Sequence, residues 1–233
     1  MLIRIEKYLS EQGTMSRREA KRFIQSGDIL INNKKAQPGD KINTETDQIS
    51  FSSNIKTEMN KKETVLVYKP RGYLSSKDTH DKNIFDAFPQ FKDLNTVGRL
   101  DKESEGLILL SNDGMITKAI TGKDHLIEKE YLVHVREKVT PSMMKKMSEG
   151  IKLEDGWTKP AIAKRDSNHS FKITLQEGRK HQIRRMANAC RLTVLSLKRI
   201  RIHNITAPRM LPGNFKKLTP AQISDLKKTG LPK

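Results

Sequence analysis

The stretch GRLDKESEGLILLSNDG, residues 98–114, joins a charged loop to an apolar segment. Ile108-Leu109-Leu110 predicts a buried strand, and Asn112-Asp113-Gly114 predicts a turn that closes it. In the loop, Arg99 stands two residues before Asp101, so in locally extended backbone both side chains would face the same side. The local pattern alone favours a loop aspartate that bonds its own backbone. A functional interpretation of Asp101 therefore depends on the rest of the chain.

The segments around this stretch combine strand and helix patterns without strict βαβ alternation, which predicts an α+β fold. Thr140-Pro141 and Thr219-Pro220 are typical helix starts, with Thr at the N-cap and Pro at the first helical position. Apolar patterns predict strands at Val65–Tyr68, Tyr131–Val135 and Phe171–Leu175. The apolar spacing at Ile183–Cys190 predicts one further helix.

The first 53 residues predict a separate small module of two helices and a short sheet. Ser16 and Glu19 match a capping box, in which each side chain bonds the other's backbone N–H. Gly27 is placed to end that helix. The polar residues 54–62 predict a linker, so that the domains are 1–53 and 63–233. The outer side of the second helix is cationic, with Arg17, Arg18, Lys21 and Arg22.

Composition restricts the function classes. The formal net charge is +18, which favours a polyanionic partner, with nucleic acid ahead of an anionic membrane surface. No apolar run is long enough for a membrane span, and the early charges predict no signal peptide. The single cysteine, Cys190, and the scattered histidines predict no metal site. Because P-loop and dinucleotide motifs are also absent from the sequence, chemistry would use carboxylate, hydroxyl and cationic side chains.

Residues 178–224 contain eleven Lys and Arg and no acid. A solvated protein face usually mixes both signs, whereas a face of one sign attracts phosphates. The segment therefore predicts contact with nucleic acid.

Two family resemblances follow from these motifs. SRREA at 16–20, Gly27-Asp28-Ile29 and Ile31-Asn32-Asn33 resemble the S4 domain, a small RNA-binding module. The stretch 98–114 resembles the central motif of the RsuA/RluF-type ribosomal RNA pseudouridine synthases. Three further segments match that family in its order: YKPRG (68–72) with Ser75 and Ser76, EKEYLVHV (128–135) and EGRKHQIRRM (177–186).

The resemblance implies a catalytic domain with a mixed, mainly antiparallel sheet, and isomerisation of uridine to pseudouridine without metal or cofactor. Asp101 would act as nucleophile at the sugar or as base at the 2′-carbon. Arg184 would pair with this carboxylate in a two-pronged bond that keeps it charged and aimed. Tyr131 would stack on the flipped uracil and offer its hydroxyl for proton removal. Ile183 would close the pocket or belong to the helix core.

The resemblance also implies contacts with RNA. Arg99 would fill the gap left by the flipped uridine or hold its phosphate. Further substrate contacts, mainly to phosphates, are predicted for Lys69, Arg71, Lys102, Arg179, Lys180, His181, Gln182, Arg185, Lys198, Arg199 and Arg201, and for Arg17, Arg18, Lys21 and Arg22 of the S4-like module.

The predicted partner is a loop or stem-loop of ribosomal RNA, modified by a cytoplasmic monomer with no membrane contact. KDH at 123–125 before EKEYL, and LKRIRIHNI at 197–205, are most similar to the RluF branch, which modifies 23S RNA. His181 departs from the family pattern, where Arg or Asn is more usual. The alternatives are a non-catalytic RNA-binding or ribosome-assembly protein and a peripheral membrane protein. They would bind RNA or lipid without changing a base.

Overall fold

The computed structural model describes residues 2–77, 80–122 and 127–229. The KDH triplet at 123–125 lies outside them. The elements of the first sixty residues, in chain order, are β1 (Leu2–Arg4), α1 (Ile5–Glu11), α2 (Arg17–Gln25), β2 (Ile29–Ile31), β3 (Lys34–Lys35), β4 (Lys41–Asn43), β5 (Ile49–Phe51) and α3 (Ser53–Asn60).

The remaining elements supply the large sheet and its helices. Up to the middle of the chain they are β6 (Thr64–Lys69), α4 (Ile84–Ala87), a 3₁₀ turn (Pro89–Phe91), β7 (Asn95–Val97), β8 (Glu105–Ser111), α5 (Gly114–Thr121) and β9 (Lys129–Val135). They are followed by α6 (Pro141–Glu149), β10 (Lys152–Leu153), β11 (Gly156–Trp157), β12 (Ile162–Ser167), β13 (Ser170–Leu175), α7 (Gln182–Ala189), β14 (Val194–Ile202), β15 (Ile205–Thr206), β16 (Phe215–Lys217) and α8 (Pro220–Thr229).

The chain divides into two compact units. The first comprises Met1–Thr64, Ser111–His125 and Leu218–Lys233, and the second Val65–Leu110 and Leu126–Lys217. The first unit contains the predicted N-terminal module, and the second contains Asp101 and the other candidate catalytic residues. The predicted domain boundary remains a prediction.

The N-terminal module forms as its local signals predict. Both bonds of the capping box are present at the start of α2, from Glu19 N to Ser16 Oγ (3.3 Å) and from Ser16 N to Glu19 Oε2 (2.8 Å). Gly27 has a φ of +74°, as expected of a residue that ends a helix in the left-handed region. The segment predicted as a linker contains α3, and its Ile55 is buried in the core of the module. Local polarity did not reveal this helix.

A buried carboxylate connects several elements of the first unit. Asp113 is the N-cap of α5, where its side chain accepts a hydrogen bond from Met115 N. Lys62 and Lys227 lie against the same carboxylate at 3.2 and 2.6 Å. Burial alone would raise the pKa of Asp113, but the hydrogen bond from Lys227 and the charge of Lys62 hold it below its usual value. This ion-pair network thus stabilises the start of α5.

The second unit is built on a mixed, mainly antiparallel sheet, as the resemblance implied. Nine strands of the described chain form it, in the order β12-β13-β9-β14-β8-β6-β16, with β15 beside β14 and β7 beside β8. β14 runs parallel to β8, whereas β12, β13, β9 and β14 pair antiparallel in succession. Tyr131 packs against two hydrophobic clusters, one formed with α6 and α7 and the other with α4 and Leu100. This position places Tyr131 close to the loop that carries Asp101.

Of the helices in the described ranges, none has the length and apolar character needed to span a bilayer.

Candidate active site

Asp101 lies in the loop between β7 and β8, and the residue before it is clamped by Ser75. The Ser75 hydroxyl donates to the carbonyl of Leu100 (2.8 Å) and accepts from its backbone N–H (3.1 Å). Both side chains are buried, at 5% and 7% exposure. Because this pair of bonds fixes the Leu100 backbone, it also fixes where the Asp101 side chain starts.

The rest of the loop is held as firmly. Each of the six carbonyls from Arg99 to Ser104 accepts a hydrogen bond, three of them from cationic side chains. In chain order the donors are Arg199 Nη1 (3.4 Å), Ser75 Oγ (2.8 Å), Ser104 N (3.0 Å), Gly72 N (2.8 Å), Arg184 Nη2 (3.0 Å) and Lys69 Nζ (2.7 Å). A loop with its carbonyls held in this way presents the Asp101 side chain on a rigid support.

The side chain that faces the Asp101 carboxylate is that of His181. The distance from His181 Nδ1 to Asp101 Oδ2 is 3.5 Å, and the side chains are 46% and 35% exposed. His181 is the N-cap of α7 and has a φ of +51°, in the left-handed region. This left-handed conformation occurs directly before the first residue of α7. From there the His181 ring faces the Asp101 carboxylate. His181 is thus the residue whose side chain lies against the Asp101 carboxylate.

The ion pair predicted between Arg184 and Asp101 is not formed among the described residues. Arg184 instead donates to the carbonyl of Glu103, two residues further along the loop. The Asp101 side chain itself is partly accessible, with 35% of its surface exposed. The structure thus gives Arg184 a contact with the loop backbone instead of the carboxylate.

Tyr131 and Ile183 occupy different surroundings. Tyr131 is half-buried on β9, directly opposite Arg199 of β14. Since Arg199 holds the carbonyl of Arg99, the strand pairing brings Tyr131 towards the Asp101 loop. Ile183 is 5% exposed and packs in the cluster that contains Met186. Of its two interpretations, the structure favours the helix core.

Lys69 and Arg199 were predicted to hold RNA phosphates, and the structure contradicts both predictions. Lys69 is 0% and Arg199 4% exposed, and both side chains point beneath the Asp101 loop. Burial lowers the pKa of Lys69 to about 8, against the charges of Asp101 and Glu103, which act to raise it. The sequence identified the cations correctly but could not show that the fold would cover them.

Lys69→Met is expected to flatten the pH dependence of stability above pH 8. In the folded protein the Lys69 pKa is about 8, and its ordinary value is 10.5. Between these values the unfolded chain binds more protons, so the free energy of unfolding rises with pH, by at most about 1.4 kcal/mol per pH unit. Urea denaturation at several pH values should show this rise in the wild type and a smaller one in the variant. Lys92→Met, at an exposed position, is the control. Equal rises in wild type and Lys69→Met would contradict the prediction.

The other predicted RNA contacts divide by exposure. Gln182 is 4% exposed and bonds to Glu177. Side chains that are half-buried and bonded within the protein are Arg179, Arg185 and Arg201. Lys198 is half-buried over the Tyr68 ring. Exposed side chains in ion pairs are Arg71 with Glu103, Lys102 with Asp81 and Arg22 with Glu58. Arg17, Arg18, Lys21, Arg99 and Lys180 are exposed. For the exposed residues a role in RNA binding remains a prediction.

Two known protein families match this chain, one in each of its two parts. The family model for RNA pseudouridylate synthase matches residues 63–189, and that for the S4 domain matches residues 3–49. The first match covers more than half of the chain, so the protein belongs to the RNA pseudouridylate synthase family and is an RNA-modifying enzyme. Both resemblances found in the sequence are confirmed.

Individual relatives agree with this family. The Dual-specificity RNA pseudouridine synthase RluF of Escherichia coli (strain K12) is 36% identical over 229 residues, which are 96% of this chain and 78% of that protein. The Ribosomal large subunit pseudouridine synthase B of Bacillus subtilis (strain 168) is 32% identical, over 96% of this chain and 95% of that protein. A crystal structure of a pseudouridylate synthase matches with a TM-score of 0.70 and 28% identity, over 96% of this chain and 99% of that one.

Proposed function

We propose that this enzyme isomerises a uridine of the large-subunit ribosomal RNA, 23S RNA, with Asp101 as the reacting carboxylate and no cofactor. The observation that supports this best is the Asp101 loop, in which six successive carbonyls are held while the carboxylate stays accessible. The Bacillus subtilis relative is named for the large ribosomal subunit. We also propose that the enzyme acts in the cytoplasm as a monomer.

The reaction needs one well-aimed carboxylate. The bond between N1 of uracil and C1′ of ribose breaks, the base turns, and C5 bonds to C1′. The proton on C5 leaves and N1 gains one, so the product is an isomer of the substrate. Asp101 either attacks the sugar or removes a proton from its 2′-carbon. Both routes require an ionised carboxylate held at a fixed distance from the sugar, and the rigid loop supplies it.

The neighbouring residues take supporting roles in this proposal. Tyr131, on the strand beside Arg199, stacks on the flipped uracil. Arg184 and Lys69 act as positioning residues, because they bind the carbonyls of Glu103 and Ser104 and do not touch the reacting carboxylate. The His181 ring, whose Nδ1 lies 3.5 Å from Asp101 Oδ2, helps to orient the carboxylate.

Ser75→Ala is expected to lower kcat about tenfold or more while KM for RNA changes little. The substitution leaves the buried N–H and carbonyl of Leu100 without their partner, so the loop loosens just before Asp101. Single-turnover and steady-state assays on ribosomal RNA fragments measure both constants. Ser76→Ala, at the exposed neighbouring position, is the matched control and should behave as wild type. A parallel change in KM and kcat, or no change, would argue against positioning by Ser75.

The target is tested by mapping pseudouridines in ribosomal RNA from cells that lack the gene. We expect one position of the large-subunit RNA to remain uridine, and to be restored by the wild-type gene but not by one encoding Asp101→Asn. Loss of a site in the small-subunit RNA, or loss of none in either, would overturn the proposed substrate.

A further inference from the structure

The single tryptophan of the chain stands exposed on a short β-hairpin. Trp157 lies on β11, which pairs with β10, and 66% of its surface is accessible. Among the described residues Phe215 is the other exposed large aromatic, but its ring packs edge-on against Phe91 at 4.8 Å between centroids. An exposed indole gives up the stabilisation that burial would provide, and such side chains are common at binding surfaces.

The hairpin is held rigidly. Arg179 donates to the backbone carbonyls of Asp155 and Gly156, at 3.2 Å each, and to that of Trp157. The Asp155 carboxylate also pairs with Arg179 and with Arg185. These bonds fix the backbone of Trp157 while leaving its ring in solvent. The exposed Trp157 ring is therefore attached to a backbone segment that is already fixed before a ligand binds.

The base of the hairpin is fixed as well. Thr158 is 5% exposed, donates from its N–H to the carbonyl of Ile151 (3.0 Å) and accepts from Ile151 N at its hydroxyl (2.9 Å). The backbone that carries the indole therefore loses little conformational freedom when a ligand binds.

The hairpin is connected to the candidate active site through Arg179. This residue lies two positions before His181, whose ring faces Asp101. Arg185, which also binds the hairpin, follows directly after Arg184, which holds the Asp101 loop. Trp157 is thus attached to the segment that borders the reacting carboxylate.

One cationic side chain shares a face of the hairpin with the indole, and two more lie on segments next to the hairpin. Lys152 is directly opposite Trp157 in the hairpin, so both side chains project from one face, and both are exposed. Lys159 lies two residues after Trp157, and its backbone N–H donates to Glu177. Lys180 follows Arg179, which also bonds to Glu177. Both lysines are exposed. An exposed aromatic ring with cations beside it is the arrangement that binds single-stranded nucleic acid through stacked bases and nearby phosphates.

We propose that Trp157 stacks on an unpaired base of bound RNA beside the active site, with Lys152 next to an adjoining phosphate. The proposal rests on RNA being the substrate but not on the chemistry of Asp101. An aromatic ring stacks on any base, so this contact orients the strand next to the reacting uridine without reading its sequence.

The test uses the fluorescence of Trp157, which is the one tryptophan in the sequence. The probe is a single-stranded oligocytidylate of about 12 nucleotides, which has bases but no uridine for the active site. A ribose-phosphate oligomer of equal length without bases is the second probe. We expect strong quenching by the oligocytidylate and little by the abasic oligomer. Absence of binding, or equal quenching by both, would overturn the proposal.

Substitution adds a second measurement. Trp157→Ala should weaken oligocytidylate binding about tenfold, and Trp157→Phe should restore most of it. Leu211→Ala is the matched control, because Leu211 is 65% exposed outside the hairpin, and it should bind as wild type. If Trp157→Ala leaves RNA affinity intact but abolishes a dimer in sedimentation, the surface binds a second copy of the chain instead. In Asp101→Asn, quenching should persist, which separates this inference from the proposed reaction.

Discussion

Asp101→Asn is expected to abolish pseudouridine formation, with a loss of about a thousandfold or more, while RNA affinity changes only a few-fold. The amide has nearly the same size as the carboxylate but neither attacks the sugar nor takes up a proton at neutral pH. The fold should not suffer, because the loop is held through its carbonyls by Ser75, Arg184, Lys69 and Arg199 and not by the Asp101 side chain. We therefore expect Asp101→Asn to lose catalysis and to keep both its fold and its RNA binding.

The measurement compares conversion of uridine in a ribosomal RNA fragment with binding of the same fragment. Asp93→Asn removes an exposed carboxylate from the same unit and is the control for lost charge. If Asp101→Asn still converts uridine at the wild-type rate, another group performs the reaction. Equal losses of binding and conversion would show that Asp101 holds the substrate instead of reacting with it.

Local chemistry explains what the sequence predicted well. The capping box of Ser16 and Glu19 needs only four successive residues, and the structure contains both of its bonds. Thr140 followed by Pro141 likewise starts α6. The start of α5 carries a similar signal, because Asp113 precedes an apolar run and caps its first turn. The interpretation of Asn112-Asp113-Gly114 as a turn missed that helix, although an N-cap reading of Asp113 would have found it.

The cations show where sequence reasoning stops. Lys69 and Arg199 belong to motifs rich in positive charge, and charge predicts phosphate contacts. In the structure both lie beneath a loop, where carbonyl oxygens far away in sequence replace water as their partners. Arg184 was assigned to Asp101 by resemblance but binds Glu103 O. Partners of this kind depend on how distant strands are brought together, which no local pattern records.

Gly106→Ala is expected to destabilise the protein by about 4 kcal/mol. Gly106 lies on β8 directly opposite Arg199 of β14, and its φ is +108°, a conformation that residues with a side chain rarely adopt. A Cβ there would overlap the Arg199 backbone, with its nitrogen only 2.7 Å away. Backbone strain contributes about 1–3 kcal/mol and overpacking a similar amount.

The same substitution should also impair the active site in molecules that remain folded. To admit a methyl group, β14 must move away from β8, and Arg199 moves with it. Its guanidinium then leaves the carbonyls of Leu107 and Arg99, so the Asp101 loop loses one of its supports. Activity per folded molecule, measured at low temperature, is therefore expected to fall along with stability.

Urea denaturation of Gly106→Ala and Gly178→Ala provides the comparison. No atom of the structure lies within 4 Å of a Cβ at Gly178 beyond its chain neighbours, so that variant should be nearly as stable as the wild type. Wild-type stability of Gly106→Ala would contradict the close approach of β8 and β14 at Gly106 and Arg199. Lost stability with unchanged activity per folded molecule would show that the loop keeps Asp101 in place without Arg199.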